Sequence, residues 1–259
     1  MNKLVVNGVA LEVQAIAGSK MLAPLVFLHE GLGSVAMWRD WPTALCRATG
    51  RAGWVYSRRG YGQSDAVPDV RSTGRLQPDY LHHEAWAVLP ALLAQRGVEK
   101  PILIGHSDGA SIALLHASRH ACTACVAMAP HVVVEPISIR AIAVVRDTWL
   151  QSDDGGKLRE GLARHHVDPD GAFWQWNDVW LSQGFASFDI RGDCARITCP
   201  LLALQGTDDA YGTMAQIDEI AQRVPHAATV KLAACGHSPH KDQAAVVTAV
   251  LAGFVGGLA

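Results

Sequence analysis

The sequence predicts an α/β fold in which helices cover both faces of a mostly parallel β-sheet. Short apolar runs typical of buried strands alternate along the chain with segments whose apolar residues recur at helical spacing. The length of 259 residues exceeds that of an average domain, but a single α/β unit of this size still forms one large core.

Seven apolar segments are predicted to contribute strands, and the Asn-Gly pair in the first indicates an antiparallel hairpin at the sheet edge. They are LVVNGVALEVQAI, APLVFLHE, GWVYSRRG, KPILIGHS, ACVAMAP, PLLALQGTDD and ATVKLAACGH. Helical spacing is found in HHEAWAVLPALLAQRG, which ends at Gly97, and in GASIALLHASRH, MAQIDEIAQRV and DQAAVVTAVLAGFVGG.

The alternation of strands and helices stops between His131 and Ala195. No segment there is typical of a central strand, whereas ISIRAIAVVRDTWLQ and GGKLREGLARHH have helical spacing. Half of the eight tryptophans fall in this region, at Trp149, Trp174, Trp176 and Trp180. We therefore predict a core formed by residues 1–130 and 196–259, with residues 131–195 inserted as a helical cap.

Composition and charge exclude several classes of protein. With 49% hydrophobic and 18% charged residues the chain folds, and a net charge of −2 without a basic run gives no reason to expect a nucleic-acid partner. No stretch approaches the ~18 apolar residues that span a membrane, and no signal-peptide pattern is present, so we expect a cytoplasmic protein. Six scattered cysteines indicate reduced thiols, and we interpret the C-x-x-C at Cys122 and Cys125 as packing.

Ser107 interrupts an apolar passage where a predicted strand becomes a predicted helix, and Gly105 and Gly109 flank it in a G-x-S-x-G pattern. A sharp strand-to-helix turn forces its apex residue into a strained conformation, and small neighbours avoid steric clashes. The hydroxyl is then held out beside a helix N-terminus, whose free N–H groups and dipole favour a developing anion. We therefore predict that Ser107 is a nucleophile.

A serine hydroxyl is a weak nucleophile that needs a general base and an orienting acid. Both types of residue follow later predicted strands. Asp208 and Asp209 come directly after LLALQGT, and His237 comes after VKLAACG. A serine, a carboxylate and a histidine therefore occur in that order along the chain, each at the end of a predicted strand.

These motifs resemble those of the α/β-hydrolase superfamily, and the resemblance covers nearly the whole chain. FLHEGLGS is similar to the family's loop after the third strand, SRRGYGQSD to its segment after the fourth, and GHSDG to its nucleophile elbow. LQGTDD resembles the G-x-x-D acid loop, which selects Asp209 over Asp208, and CGHSPH resembles the histidine loop. The resemblance implies an eight-stranded sheet, a cap after the sixth strand, and a catalytic triad of Ser107, Asp209 and His237.

One residue departs from the family pattern, because Glu30 stands where family members usually carry glycine. A carboxylate aimed at the reacting oxygen would oppose a developing negative charge. We therefore expect the Glu30 side chain to point away from the reacting oxygen, toward Arg58 or Arg59.

By position, the resemblance implies that the backbone N–H groups of Gly31 and Asp108 form the oxyanion hole, with Leu32 as an alternative to Gly31. Donors of this kind are typically worth ~3–4 kcal/mol of transition-state stabilisation each. Because the donors are backbone groups, the acidic side chains of Glu30 and Asp108 do not exclude the site.

Residues near these motifs are candidates for the substrate pocket. We predict contributions from His106, which precedes the nucleophile, from Trp38, and from Trp149 and Trp176 in the cap. A histidine packed beside the turn is an equally good interpretation of His106, and His240 fits the start of a helix. The tryptophans indicate an apolar or aromatic acyl group.

Together these features predict a serine hydrolase that cleaves a carboxylic ester of a small molecule through an acyl-enzyme. Thioesters, lactones and C–C bonds of ring-cleavage products are alternatives within the superfamily, as is a small-molecule receptor that keeps the triad. A dehalogenase or epoxide hydrolase with an aspartate nucleophile is disfavoured because Ser107 occupies the apex. No metal, nucleotide or flavin motif is present, so no cofactor is predicted, and neither is a membrane partner or a particular oligomeric state.

Overall fold

The computed structural model describes residues 2–151 and 156–258, and these residues form one eight-stranded sheet. The strands are β1 (Asn2–Val6), β2 (Val9–Ile16), β3 (Leu25–Leu28), β4 (Gly53–Tyr56), β5 (Ile102–His106), β6 (Ala124–Met128), β7 (Leu201–Gly206) and β8 (Ala228–Leu232). Their spatial order is β1-β2-β4-β3-β5-β6-β7-β8, and all neighbours from β4 to β8 are parallel. The predicted α/β class and mostly parallel sheet are confirmed.

The first two strands form the hairpin that the Asn-Gly pair predicts. Asn7 and Gly8 have positive φ angles of 51° and 81°, the conformation that a two-residue type I′ turn requires. β2 then pairs antiparallel with β4. The hairpin therefore extends the parallel part of the sheet at one edge.

The inner parallel strands are buried along their whole length. Every residue of β3, β5, β6 and β7 is buried, as expected for parallel strands that face helices on both sides. Their carboxyl ends meet at one edge of the sheet, which is where open α/β sheets bind ligands. The loops that leave this edge carry the polar residues considered below.

Eleven α-helices lie within the described residues. They are α1 (Trp41–Thr49), α2 (Tyr80–His83), α3 (Leu89–Gln95), α4 (Asp108–Ala117), α5 (Pro136–Leu150), α6 (Gly156–Ala163), α7 (Pro169–Trp180), α8 (Arg191–Cys194), α9 (Ala215–Arg223), α10 (Pro239–Asp242) and α11 (Ala244–Gly256). Helices α1 and α11 pack on one face of the sheet, and α3, α4 and α9 pack on the other. Within the described residues, no helix combines the length and apolar character needed to cross a bilayer.

The predicted helix over residues 82–97 is divided. A wider π-helical turn, Glu84–Val88, separates α2 from α3, and Pro90 is the second residue of α3. Proline lacks an N–H and its ring crowds the carbonyl of the preceding turn, so a regular α-helix cannot continue through it. Helical backbone nevertheless runs from Tyr80 to Gln95, in agreement with the apolar spacing.

Helices α5 to α8 lie between β6 and β7, and the described part of this segment contributes no strand to the sheet. Trp149 of α5 stacks on Phe173 of α7 with ring centroids 3.8 Å apart, so one tryptophan packs these helices together. Residues 152–155 lie outside the described residues. The pattern GGKLREGLARHH, predicted to be helical, is therefore described only from Gly156 onward.

Candidate active site

Ser107 lies between the carboxyl end of β5 and the first residue of α4. Its φ and ψ angles are 54° and −118°, which places a non-glycine residue in a strained backbone region. Its N–H donates to the carbonyl of Met128 on the neighbouring strand over 2.9 Å. The hydroxyl is thus presented at the carboxyl edge of the sheet, as the G-x-S-x-G pattern predicts.

The two glycines of the pattern are required by close backbone contacts. A Cβ atom at position 105 would collide with the backbone of Gly109 and Ala110, and one at position 109 would collide with the carbonyl of Leu28. The first turn of α4 can approach β3 and β5 only because these two positions lack side chains. The sequence pattern and the strained turn therefore have one steric cause.

His237 connects Ser107 to a carboxylate. Its Nε2 lies 2.9 Å from the Ser107 hydroxyl, and its Nδ1 lies 2.9 Å and 2.8 Å from the two carboxylate oxygens of Asp209. In this arrangement Nδ1–H donates to Asp209, so the Nε2 lone pair is directed at the hydroxyl proton. The three residues come from the carboxyl ends of β5, β7 and β8, as expected for polar residues at the ends of parallel strands.

The side chain of Asp209 is completely buried and accepts two further hydrogen bonds. The Tyr211 N–H donates over 2.8 Å, and the Gln205 amide donates over 2.7 Å. Burial alone would raise the pKa of Asp209, but the hydrogen bond and charge of His237 and the Tyr211 N–H outweigh it and lower that pKa below its ordinary value. Asp209 is therefore ionised at neutral pH.

Asp208 occupies a different environment. It is exposed, and its carboxylate accepts a 3.0 Å hydrogen bond from the hydroxyl of the neighbouring Thr207. Helix α9 begins only at Ala215, so Asp208 is not a cap for that helix. Of the two adjacent carboxylates, only Asp209 contacts His237, which is the residue that the spacing from Gly206 selects.

The loop that follows β3 is held by hydrogen bonds to its carbonyl groups. Arg58 donates to the carbonyls of His29 (2.7 Å) and Glu30 (3.1 Å), and the His29 ring donates to the carbonyl of Glu30 from Nδ1. His166, which follows α6, accepts from the Gly62 N–H and donates to the carbonyl of Leu32 over 3.1 Å. Both histidine rings are buried and their pKa values lie below the ordinary range, chiefly because of that burial.

Not every N–H group of this loop has an acceptor, although that of Gly33 donates to the Glu30 carbonyl and that of Val35 to the Ser57 hydroxyl. The N–H groups of Gly31, Leu32 and Asp108 donate to no acceptor within residues 2–151 and 156–258. Asp108 is the first residue of α4, where an N–H has no intrahelical acceptor. Gly31 and Leu32 line the same cavity as Ser107, and Asp108 follows Ser107 directly in the sequence.

This combination of fold and site agrees with a comparison to known families. A family model described as "Alpha/beta hydrolase family" matches residues 25–250, most of the chain. The matched region includes the strained turn, the loop after β3, and the acid and histidine loops. The chain belongs to the alpha/beta hydrolase family.

Solved structures of other proteins resemble this hydrolase along almost the whole chain. They include an enol-lactonase from Burkholderia xenovorans LB400 (TM-score 0.74, 20% identity, 98% of this chain and 100% of that one). An esterase from Thermogutta terrifontis has a TM-score of 0.76 and 18% identity, over 99% and 98% of the two chains. A proline iminopeptidase from Mycobacterium smegmatis has a TM-score of 0.67 and 17% identity, over 98% of each.

At these identities the likeness concerns the fold, and the three names describe enzymes with different substrates, a lactone, an ester and a peptide. A search of curated proteins found no match. The substrate of this hydrolase must therefore be inferred from its own site.

The Glu30 side chain of the hydrolase does not point to Arg58 or Arg59, so that expectation is wrong. Its Oε1 lies 3.3 Å from Lys241 Nζ, and its Oε2 lies 3.5 Å from His106 Nδ1. Arg58 instead binds the backbone carbonyls of the loop and, at 3.4 Å, the carboxylate of Asp108. Burial opposes ionisation of Glu30, but His106 and Lys241 outweigh it and lower the pKa of Glu30 well below its ordinary value.

A cavity of about 280 Å³ lies directly over Ser107, which we call the site cavity. Its floor is formed by loops at the carboxyl edge of the sheet, and its roof by helices α5, α6 and α7. The lining residues are Glu30, Gly31, Leu32, His106, Ser107, His131, Ile142, Val145, Leu158, Trp176, Trp180, Tyr211, His237 and Ser238. The inserted helices therefore lie over the candidate triad.

Two of the predicted pocket residues line this cavity and two do not. Trp176 packs against the Cα of Gly31, and His106 lies beside Ser107, although its side chain is fully buried. Trp38 is instead stacked on Trp41 beneath α11, with 5.7 Å between ring centroids, and Trp149 of α5 is stacked on Phe173 of α7. Both predictions are corrected, because tryptophans are large enough to be required for packing in a helical layer.

His131 was not predicted to take part in the site. It follows β6, its ring centroid lies 5.7 Å from that of His237, and it lines the site cavity. Burial, followed by the neighbouring His237, lowers the pKa of His131 to about 3, so its ring is neutral near pH 7. Its position at the carboxyl end of a central strand is a signal that was present in the sequence.

Asp108 connects the nucleophile turn to the inserted helices. Its buried carboxylate accepts hydrogen bonds from the Tyr80 hydroxyl (2.7 Å) and from the Trp180 indole N–H (3.2 Å), and it lies beside Arg58. Burial raises the pKa of Asp108, against the opposing effects of Arg58 and the two donors. The charge next to the unpartnered Asp108 N–H is thus balanced by three neighbours.

Proposed function

We propose that this alpha/beta hydrolase cleaves carboxylic esters of small, neutral, apolar or aromatic acids through an acyl-enzyme on Ser107. The observation that carries the proposal is the unbroken hydrogen-bonded chain from Ser107 through His237 to Asp209, with distances of 2.9 Å or less. Groups at these distances are within reach of direct proton transfer.

In the first half of the reaction the Ser107 oxygen attacks the ester carbonyl carbon while its proton moves to His237 Nε2. The carbonyl oxygen becomes negative and accepts hydrogen bonds from the N–H groups of Asp108 and Gly31, with Leu32 as a second donor on the same loop. The imidazolium is stabilised by Asp209. The carbon–oxygen bond of the ester then breaks, and the leaving alcohol takes the proton from Nε2.

In the second half, water replaces the alcohol. His237 Nε2 accepts a proton from the water as the water oxygen attacks the acyl carbon. The bond to Ser107 breaks, the serine oxygen recovers its proton from His237, and the carboxylic acid leaves. Each proton is passed between oxygen and Nε2, so no group outside the triad has to titrate.

The lining of the site cavity supports a neutral, apolar acyl group. Its roof consists of Ile142, Val145 and Leu158 together with the rings of Trp176 and Trp180. No lysine or arginine is among the described residues that line it, and the carboxylate of Glu30 is. A substrate with its own carboxylate near the scissile bond would therefore lack a counter-charge, which disfavours anionic ring-cleavage products.

The inserted helices are proposed to act as a lid that selects the acyl group. Helix α7 contributes Trp176 and Trp180 to the roof, and the latter is bonded to Asp108 in the nucleophile turn. Residues from three helices thus define the depth of the cavity. A volume of about 280 Å³ fits a short acyl chain or one aromatic ring better than a long fatty acid.

The proposal is tested with p-nitrophenyl esters of increasing acyl length, beside a phenylacetyl ester and an anionic dienone. We expect multiple turnover, with a maximum of kcat/KM at short or aromatic acyl groups. Treatment with a phosphonate that reacts with serine, followed by mass spectrometry, should give one adduct, on Ser107.

Ser107→Ala should lose both turnover and the adduct. Ser118→Ala is a suitable control because the Ser118 hydroxyl donates to the Leu115 carbonyl at the far end of α4. Full activity of Ser107→Ala would disprove the nucleophile. A single slow turnover with every ester would favour a receptor, and preference for the dienone would favour C–C bond hydrolysis.

A further inference from the structure

Glu30 belongs to the loop after β3, but its carboxylate reaches the last residue of β5 and helix α10. Oε2 lies 3.5 Å from Nδ1 of His106, the residue before Ser107, and Oε1 lies 3.3 Å from Nζ of Lys241, four residues after His237. The side chains of Glu30 and His106 are largely or completely buried. One carboxylate therefore connects the oxyanion loop, the nucleophile turn and the histidine loop.

His106 extends this connection to the backbone of the candidate general base. Its Nε2 lies 2.6 Å from the carbonyl oxygen of His237. A carbonyl only accepts hydrogen bonds, so Nε2 must carry a proton, and Nδ1 faces a carboxylate, which also only accepts. The ring is therefore oriented by two acceptors, the His237 carbonyl at hydrogen-bond distance from Nε2 and the Glu30 carboxylate at the longer distance of 3.5 Å from Nδ1.

We propose that Glu30 and His106 are a positioning pair that holds the backbone of His237, so that its imidazole reaches Ser107 and Asp209 at the same time. This inference rests on the proposed function. Although His106 lies at the edge of the site cavity, its side chain is almost completely buried, so we assign it a role through His237 and not in binding substrate. The hydrogen bond is made to the backbone of the same residue whose ring spans the serine and the carboxylate.

The loop after β3 is shaped to accommodate this pair. A Cβ atom at position 33 would collide with Oε2 of Glu30, so Gly33 leaves the space into which the carboxylate folds. The His106 ring is held from the other side by Trp38 and His240, with ring centroids 6.3 Å and 4.8 Å away. The pair gives Glu30 a function at the position where the family usually has glycine.

The decisive experiment compares two substitutions of His106. His106→Phe keeps a ring for packing against Trp38 and His240 but removes the donor to His237. His106→Gln loses the ring but places an amide N–H close to the position of Nε2. We expect His106→Phe to lower kcat on the order of 10²-fold with KM within a few-fold, because small misplacements of catalytic groups cost about that much. His106→Gln should keep kcat within a few-fold of the wild type.

A spectroscopic measurement reports the position of His237 without turnover. The downfield proton signal of the His237–Asp209 hydrogen bond should shift or broaden in His106→Phe and remain in His106→Gln. At Glu30, the alanine variant should lower kcat more than the glutamine variant, because glutamine keeps an acceptor for His106 Nδ1. The Glu30 pair also provides the test if His106→Phe does not fold.

The matched control is His116→Phe. His116 is also buried and its Nδ1 bonds a backbone carbonyl, that of Ala85, at 3.0 Å, but it lies near the far end of α4. We expect a loss of melting temperature in His116→Phe with kcat unchanged. The inference is wrong if His106→Gln loses as much kcat as His106→Phe, or if His106→Phe turns over like the wild type. Activity in Ser107→Ala would instead refute the proposed function, whatever the His106 variants do.

Discussion

His237 and Asp209 are joined by hydrogen-bond distances of 2.9 Å and 2.8 Å from one ring nitrogen to both carboxylate oxygens. Asp208, the adjacent residue in the sequence, is exposed and bonds only Thr207 among the side chains described. Asp208 and Asp209 have the same side chain, but only Asp209 contacts His237. Substituting each of them in turn should therefore have different effects on activity.

Asp209→Asn should reduce kcat by about 10⁴-fold, because an amide stabilises the wrong histidine tautomer and cannot balance the imidazolium. Its melting temperature should change little, since asparagine still accepts from the Tyr211 N–H. Asp208→Asn should leave kcat within a few-fold. Steady-state kinetics with one ester, together with thermal unfolding, measure both effects. The opposite pattern would identify Asp208 as the orienting acid.

Glu84 predicts how stability depends on pH. Burial, only partly opposed by Arg58, raises the pKa of Glu84 to about 7, and its Oε2 has no hydrogen-bond partner within the described residues. Because the folded pKa is raised, the stability that Glu84 contributes is present below its ordinary pKa of 4.5 and is lost as pH rises through 7.

Glu84→Gln removes this titration. We expect the variant to match the wild type near pH 4 and to exceed its free energy of unfolding by about 3 kcal/mol at pH 8. Urea unfolding at several pH values tests this. A difference that is constant between these pH values would show that Glu84 does not titrate in this range.

Gly109 should not tolerate a side chain, although it lies in a helix where alanine is normally favoured. A Cβ atom there collides with the carbonyl of Leu28, so α4 would have to move away from β3. We expect Gly109→Ala to lose about 1–3 kcal/mol of stability and most activity. Gly161→Ala, in α6 where a Cβ meets nothing within 4 Å, is the control and should keep both. Denaturant unfolding and ester turnover measure the two effects.

Trp176 should limit the size of the acyl group. Because its indole forms part of the cavity roof against Gly31, Trp176→Ala enlarges the cavity and should shift the kcat/KM maximum to longer acyl chains. Trp149→Phe is the matched control, since Trp149 stacks on Phe173 away from the cavity. Its chain-length profile should stay unchanged while its melting temperature falls. Equal profiles for wild type and Trp176→Ala would remove Trp176 from the pocket.

The strands, the nucleophile turn and the order of the site residues follow from the sequence itself. Strands β3, β5, β6 and β7 could be predicted from continuous apolar runs, because parallel strands are buried on both faces. Gly105 and Gly109 are readable because the turn at Ser107 has a local steric requirement. The spacing from Gly206 selects Asp209 over Asp208, and the structure places Asp209 against His237. The pattern that reveals each feature lies within a few positions along the chain, although Gly109 also meets the carbonyl of Leu28 on another strand.

Only the tertiary structure decided where the Glu30 side chain points. It also decided which tryptophan lines the site cavity, among Trp38, Trp149 and Trp176. Glu30 contacts Lys241, 211 positions away in the sequence, and two of the three tryptophans face helices rather than the site cavity. The sequence shows that a large ring or a charge is present at a given position. Which partner it contacts depends on how distant elements pack, because a helix presents several faces and only the assembled layers determine which one covers the site.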